Sequence, residues 1–320
     1  CHMGITEEKK GREGDDCNEC VDPLTPYLRA IDAINPMDAA FHDAVKAGIT
    51  CVHVGPGSAN IVGGHWLEMK TTGRDIDDLI VKEPSAMKIA FGENPKTNYG
   101  NKDQSPVTRM AIGAGLREEL TKAKTYLEKK KQAKKKKEDF ELDFKLEPWE
   151  LVFEKKIPLK AHCHRADDIL TAIRIAKEFD LDMTLDHCSE GHIIAKYVKD
   201  SGFPAIIGPS LAARNKVECQ NASFKTAGVL AKEGVLVSIT TDHPVTLIQY
   251  LPICAGYAAK YGLGQEQALK AITINAAKIC NIDQWVGSLE EGKDADIVIY
   301  KNDPISHIEK PEAVNEDFNM

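Results

Sequence analysis

From Ile157 onward short apolar runs alternate with amphipathic stretches, and this rhythm restricts the fold more than any other feature of the chain. Ile157–His162 reads as a strand. Asp167 and Asp168 then open a helix that carries Ile169, Ala172, Ile173 and Ala176 on one side. Further strands are predicted at Met183–His187, 205–207 and Val235–Thr240, with helices at Glu190–Lys199, Ala222–Lys232 and Pro244–Tyr261. Consecutive strand–helix units of this kind require a parallel sheet, either closed as a (β/α)8 barrel or doubly wound. No glycine-rich GxGxxG follows any of these strands, which weighs against the dinucleotide-binding form.

The upstream half carries the same grammar less regularly. Residues 1–25 are polar and read as a long loop. Asn35-Pro36 is predicted to open a helix, with Asn35 as cap, an apolar stripe of Ala40, Phe41, Ala44 and Val45, and Gly48 as its end. Ile49–Val54 follows as a strand, broken by Gly55-Pro56-Gly57. Trp66–Lys70 and Met87–Phe91 are two more strands, the second ending in the turn cluster Gly92-Glu93-Asn94-Pro95. Ser105-Pro106 starts a long helix that runs into a lysine-rich stretch at 129–137. Acidic residues follow that stretch at once, so 120–150 reads as a solvated surface excursion.

The chain's 320 residues exceed an average domain but suit one barrel, and 42% hydrophobic content is enough for a large core. A net charge of -8 gives the molecule no general attraction for nucleic acid. No run approaches the roughly 20 apolar residues of a membrane span, and the N-terminus does not read as a signal peptide. Nine scattered cysteines fit reduced thiols and a cytoplasmic setting, and Cys17-Asn18-Glu19-Cys20 stands alone as an incidental CxxC. The partner expected is a small-molecule substrate; homo-oligomerisation is left open.

In an α/β barrel the C-terminal ends of the strands face the active site. The ionisable residues at those ends are Lys88, His162, His164, His187 and Asp242. Imidazoles and a carboxylate together suit zinc and related divalent ions, and Asp242 can both bind a metal and take a proton from water. His162 and His164 are two apart and share a strand face, so one serves as ligand and the other as its neighbour or alternative; His162, nearer the strand body, is favoured. His53, inside a strand, reads as a core histidine.

These residues, with Thr273-Ile274-Asn275-Ala276-Ala277-Lys278 and Gly287-Ser288-Leu289-Glu290-Glu291-Gly292-Lys293-Asp294-Ala295-Asp296-Ile297-Val298, resemble the amidohydrolase superfamily in its imidazolonepropionase-like branch. The resemblance implies a TIM-like (β/α)8 barrel over 1–285, and at 286–320 the remnant of a small β-sandwich built from the chain ends. It implies that Cys1-His2 is the tail of a His-x-His motif, so that His2 is a metal ligand and the chain is N-terminally truncated. His162, His187 and Asp242 match the family's ligands. Lys88 matches the lysine that is carboxylated in many members, with Glu93 as its rival. The cofactor implied is one or two divalent ions, zinc in type, and the reaction is hydrolysis of a C–N bond with Asp242 as general base and acid. Asn60, Arg109, Arg165, Arg214 and His243 are the candidate substrate contacts; an arginine suits a substrate carboxylate. A Xaa-Pro or Xaa-Arg dipeptidase and a catalytically silent scaffold are the alternatives. On this reading the chain as given is weakly active or inactive, extension upstream restores metal binding, and the strand at 295–300 lacks partners.

Overall fold

The computed structural model describes residues 1–8, 11–308 and 310–315. Seven strands form one sheet in chain order: β1 (Cys51–Val54), β2 (Val62–Lys70), β3 (Ile80–Ala90), β4 (Leu159–Cys163), β5 (Met183–His187), β6 (Ala205–Ile207) and β7 (Val237–Ile239). The helices are α1 (Ala39–Lys46), α2 (Ile76–Leu79), α3 (Glu93–Gly100), α4 (Arg109–Lys136), α5 (Trp149–Phe153), α6 (Ala166–Glu178), α7 (Ala195–Ser201), α8 (Lys225–Lys232), α9 (Leu251–Ala258), α10 (Gln265–Ala271) and α11 (Ile274–Ile279). β3 to β7 are parallel, as the strand–helix rhythm requires, and curl into an α/β barrel wall. The expected all-parallel sheet is corrected at one strand: β2 runs antiparallel to both β1 and β3. β1 therefore points the same way as β3 to β7, and its C-terminal end joins theirs at one mouth.

The first residues of the chain bridge the two edge strands at that mouth. The Cys1 amino group donates to His53 O at 2.9 Å, and Gly55 N donates to Cys1 O at 3.3 Å. On the other side His2 N donates to His243 O, just beyond β7, at 2.9 Å. A large apolar core fills the space between the strands and α4 to α10, with Leu116, Trp149, Leu159, Ile169, Leu185 and Leu230 wholly buried. A second apolar cluster, around Met3, Phe41, Val52, Leu67 and Met69, packs α1 onto β1 and β2.

Several boundaries differ from the sequence reading for local reasons. Asp38, not Asn35, stands at the N-terminus of α1, because the Asn35 carboxamide accepts from Met37 N at 3.0 Å and makes a turn of its own. The helical stretch near the C-terminus is broken into α10 and α11 at Thr273, whose φ of -131° and ψ of -106° are not helical. The helix expected from Pro244 begins only at Leu251. The segment 120–150 is not merely a surface excursion: α4 buries Leu120, Ala123, Tyr126 and Ala133, and Trp149 returns to the core with its Nε1 donating to Glu119 at 3.0 Å. The strand near the C-terminus does not lack a partner either. β8 (Ile297–Ile299) pairs antiparallel with β9 (Ala313–Asn315), and Lys70 of β2 fastens this region through Asp294 at 2.9 Å and Asp296 at 2.6 Å. The last five residues of the expected sandwich segment, 316–320, lie outside the described residues.

Two substitutions test this packing. Trp149→Ala is expected to lower unfolding free energy by about 3–5 kcal/mol in urea titrations; a cost below about 1 kcal/mol would show that the 120–150 segment is not integral to the core. His65 on β2 is buried, its Nε2 has no hydrogen-bond partner, and burial, then the Arg29 charge, lowers its pKa to about 4. The unfolded imidazole titrates at about 6.5, so between these values the unfolded chain binds more protons. Stability from this group is complete above pH 6.5 and declines as pH falls towards 4. His65→Gln is expected to flatten that part of the urea-midpoint profile; an unchanged slope would contradict the assignment.

Candidate metal centre

Four strand ends bring imidazoles, an amine and a carboxylate to the mouth. His162 on β4 and His164 just past it lie on one face, ring centroids 4.8 Å apart, while Cys163 between them points into the core. His187 ends β5, its ring 4.5 Å from His162 and 4.6 Å from His164. One ligand atom from each of these three lies within 4.8 Å of the others. In a regular strand His187 and its neighbour Asp186 would face opposite sides. The φ of +67° at His187 turns it inward, and Asp242, beyond β7, has a φ of +52°. Such backbone costs of order 1–3 kcal/mol per residue and persists where its surroundings impose it. At His187 the imposing contact is to Gly208, whose carbonyl accepts from Nδ1 at 2.7 Å. Only glycine fits there: φ is +130°, and a Cβ would lie 2.1 Å from Thr240 O.

That hydrogen bond also sets the His187 tautomer. A carbonyl only accepts, so Nδ1 carries the proton and Nε2 is left with its lone pair. The same logic holds at His2, where Nδ1 donates to Gly55 O at 2.6 Å. Its Nε2 then faces Asp242 Oδ1 at 3.4 Å. Two lone pairs face each other there, and the contact is favourable only with positive charge between them. A proton does this in the metal-free chain: burial opposes it, but Cys17 and Asp242 outweigh burial and raise His2 to about 9. Asp242 is held well below the usual carboxylate range: burial opposes ionisation, but His187 and His2 prevail. His162, His164 and His187 are kept neutral chiefly by burial, the form in which imidazole binds metal.

Lys88, on β3, is buried beside the same mouth, with Nζ 3.4 Å from Asp186 Oδ2. Lys160 Nζ lies 3.1 Å from that oxygen, and both ammonium groups stand over the Trp66 ring, at 5.2 and 4.6 Å from its centroid. Burial lowers the pKa of Lys88. Glycine is required at Gly55 too, since a Cβ would lie 2.1 Å from the Trp66 ring.

The mouth therefore gathers His2, Lys88, His162, His164, His187 and Asp242. The other candidates are placed differently. Glu93 is turned to the Glu218 backbone, whose N–H it accepts at 3.4 Å. Asn60 is buried and paired at both ends of its carboxamide, to Thr25 and Tyr99. Arg109 forks onto Asp168 at 2.9 and 3.1 Å, and Arg165 onto Asp167 at 2.9 Å through each of two nitrogens. Arg214 is exposed on the loop after β6. His243 is buried behind Asp242, where its Nδ1 accepts from Ile248 N at 3.2 Å.

Sequence reasoning missed Asp186 and Glu218. Glu218 lies far along the loop after β6 and is 1% exposed. Its Oε2 accepts from Glu93 N at 2.8 Å, while Oε1 has no hydrogen bond and faces His162 Nε2 at 3.6 Å and His164 Nε2 at 3.9 Å. The same oxygen lies 4.0 Å from Lys216 Nζ, so it faces one ammonium group and two imidazoles. The only signal in the sequence was an acidic residue in a loop at the active face, which is common.

Comparison with known proteins agrees with this geometry. Residues 149–320 match the amidohydrolase family, and the chain belongs to that family. A solved amidohydrolase structure from Thermotoga maritima is 42% identical, with a TM-score of 0.96, over 99% of this chain and 83% of that one. The amidohydrolase tasK of Hapsidospora irregularis is 26% identical over 95% of this chain and 33% of its own length. An imidazolonepropionase from Thermoplasma volcanium is 38% identical over 29% of this chain and 24% of its own length, consistent with the branch expected from sequence. The chain thus spans about a third or less of these two curated relatives. No helix among the described residues is long and apolar enough to cross a membrane.

Glu218→Gln removes the charge facing His162 and His164 while keeping the shape. It is expected to weaken binding of a divalent ion roughly 10–100-fold in chelator-competition titrations. Unchanged affinity would show that Glu218 plays no part in holding the ion.

Proposed function

We propose that this chain carries the metal centre of a hydrolase that cleaves C–N bonds other than peptide bonds, cyclic amides among them. The observation that carries this is the His2–Asp242 contact, in which two groups with lone pairs are held 3.4 Å apart beside the three-imidazole cluster. The donor set fits a zinc-like ion. His2, His162, His187 and Asp242 would hold it, with Lys88 joining if a second ion is present and His164 and Glu218 adjacent. Bound there, a divalent ion supplies Lewis acidity, polarising a carbonyl and acidifying water.

The remaining work falls to the chain's own side chains. Asp242 is ionised at neutral pH and faces the mouth, so it can take a proton from attacking water and pass it to the leaving nitrogen. Burial favours the neutral amine of Lys88, the form that takes up CO₂ to give a carbamate. Arg214, exposed on the loop after β6, is the candidate to meet a substrate carboxylate. Relatives named imidazolonepropionase support a ring substrate.

The test is a panel of cyclic amides, N-acyl compounds and dipeptides, assayed before and after chelation and zinc return. Hydrolysis is expected with cyclic amides, to vanish on chelation, and to return with zinc. Asp242→Asn is expected to lower kcat by about 10²–10⁴-fold. Full activity after chelation would overturn the proposal. Preference for dipeptides would favour a metallodipeptidase, and neither metal nor turnover would favour a silent scaffold.

A further inference from the structure

A second cluster of ligating side chains lies on the far side of Trp66 from the mouth. β1 and β2 place His53 directly opposite Glu68 in the antiparallel register, so their side chains share a face. Cys280, the residue that ends α11, reaches the same spot from the other end of the chain. Its Sγ lies 3.5 Å from His53 Nδ1, and Glu68 Oε1 lies 3.4 Å from His53 Nε2. One ligand atom from each of the three lies within 4.8 Å of the others.

The Cys280 thiol is hydrogen-bonded to the Glu68 carboxyl, and the Lys160 and Lys82 charges act on it, but one of its oxygens is left over. Glu68 is 1% exposed and its Oε1 has no hydrogen-bond partner, because His53 Nε2 is engaged by Ser85 Oγ at 3.1 Å. A buried, unsatisfied carboxylate oxygen is costly, and a cation relieves the cost. Cys51, two residues before His53, lies on the same face of β1. Together with Glu68 and Cys280 it lines a cavity of about 510 Å³, which gives an ion a way in.

We propose that His53, Glu68 and Cys280 hold a structural divalent ion of the zinc class, with water as fourth ligand, clipping the chain after α11 to β1 and β2. Thiolate, imidazole and carboxylate are the donors that zinc favours, and four-coordinate sites of this kind stabilise folds directly. One thiolate and one carboxylate also cancel the charge of the ion, which lessens the penalty of burying it. In the metal-free chain burial raises Glu68 to about 7 and the Cys280 thiol well above its ordinary range. Ion binding therefore releases the thiol proton to solvent, and the carboxyl proton as well wherever Glu68 holds one.

Cobalt(II) tests this because a cobalt–thiolate bond has its own near-ultraviolet charge-transfer band. Metal-free wild-type chain titrated with Co²⁺ is expected to develop that band to the amplitude of one thiolate-bound ion per chain, whether the mouth fills before it or after. Cys280→Ser is expected to abolish it, and His53→Gln and Glu68→Gln to weaken the ion's affinity roughly tenfold or more. Three other thiols lie near the mouth: Cys1, whose Sγ donates to His53 O at 3.3 Å, Cys17 against His2, and Cys219 Sγ 3.8 Å from His164 Nδ1. Cys1→Ser, Cys17→Ser and Cys219→Ser are expected to keep the band. Its absence from the wild-type chain, its survival in Cys280→Ser, or its loss in Cys1→Ser, Cys17→Ser or Cys219→Ser would overturn the proposal. If circular dichroism shows that Cys280→Ser does not fold, His53→Gln and Glu68→Gln carry the test, and an unweakened affinity for the band-forming ion in both would overturn the proposal.

Discussion

The contact between His2 Nε2 and Asp242 Oδ1 imposes the strongest demand in the molecule. Each side is fixed by backbone elsewhere: His2 by the Gly55 carbonyl, and Asp242 by a left-handed turn at the end of β7. Neither side chain can turn away without losing a buried hydrogen bond or its place in the turn. The positive charge required between them can be a proton or a metal ion, and three imidazoles kept neutral by burial stand at the same mouth. Bridging of the barrel's mouth by Cys1 and His2 joins the edge strands and, on the proposed function, also delivers a ligand.

The same economy appears at β5 and β6. Gly208 lets its carbonyl approach His187, and the resulting hydrogen bond fixes both the ring's orientation and its tautomer. Trp66 plays the matching part on the other side of the barrel. Its ring lies edge-on to His2 and His53, with centroid separations of 5.5 and 4.7 Å, and beneath the Lys88 and Lys160 ammonium groups. One aromatic side chain thus packs against His2 at the mouth and against His53 of the second cluster.

How much of this was legible in the sequence depended on the kind of information each residue carries. Strand ends were readable because apolar runs stop at turn signals, so Lys88, His162, His187 and Asp242 could be placed at one mouth. The reversed direction of β2 was not readable, because its run from Val62 to Lys70 is apolar or buried at every position and shows no period. Glu218 was missed because a loop residue has no register, and only the folded path brings it over His162 and His164. Asn60, Arg109 and Arg165 looked available because sequence reveals charge and polarity but not partners, and the fold pairs each of them locally. His53 was read as a core histidine; the pairing register and the return of Cys280 give it ligating neighbours.

Anomalous diffraction at the zinc absorption edge, from crystals of the zinc-loaded chain, tests the central claim most directly. The geometry predicts density between His2 Nε2 and Asp242 Oδ1, within bonding distance of the His162 and His187 rings. A map with no anomalous density at that mouth would contradict it, and would leave the His2–Asp242 contact to a proton alone.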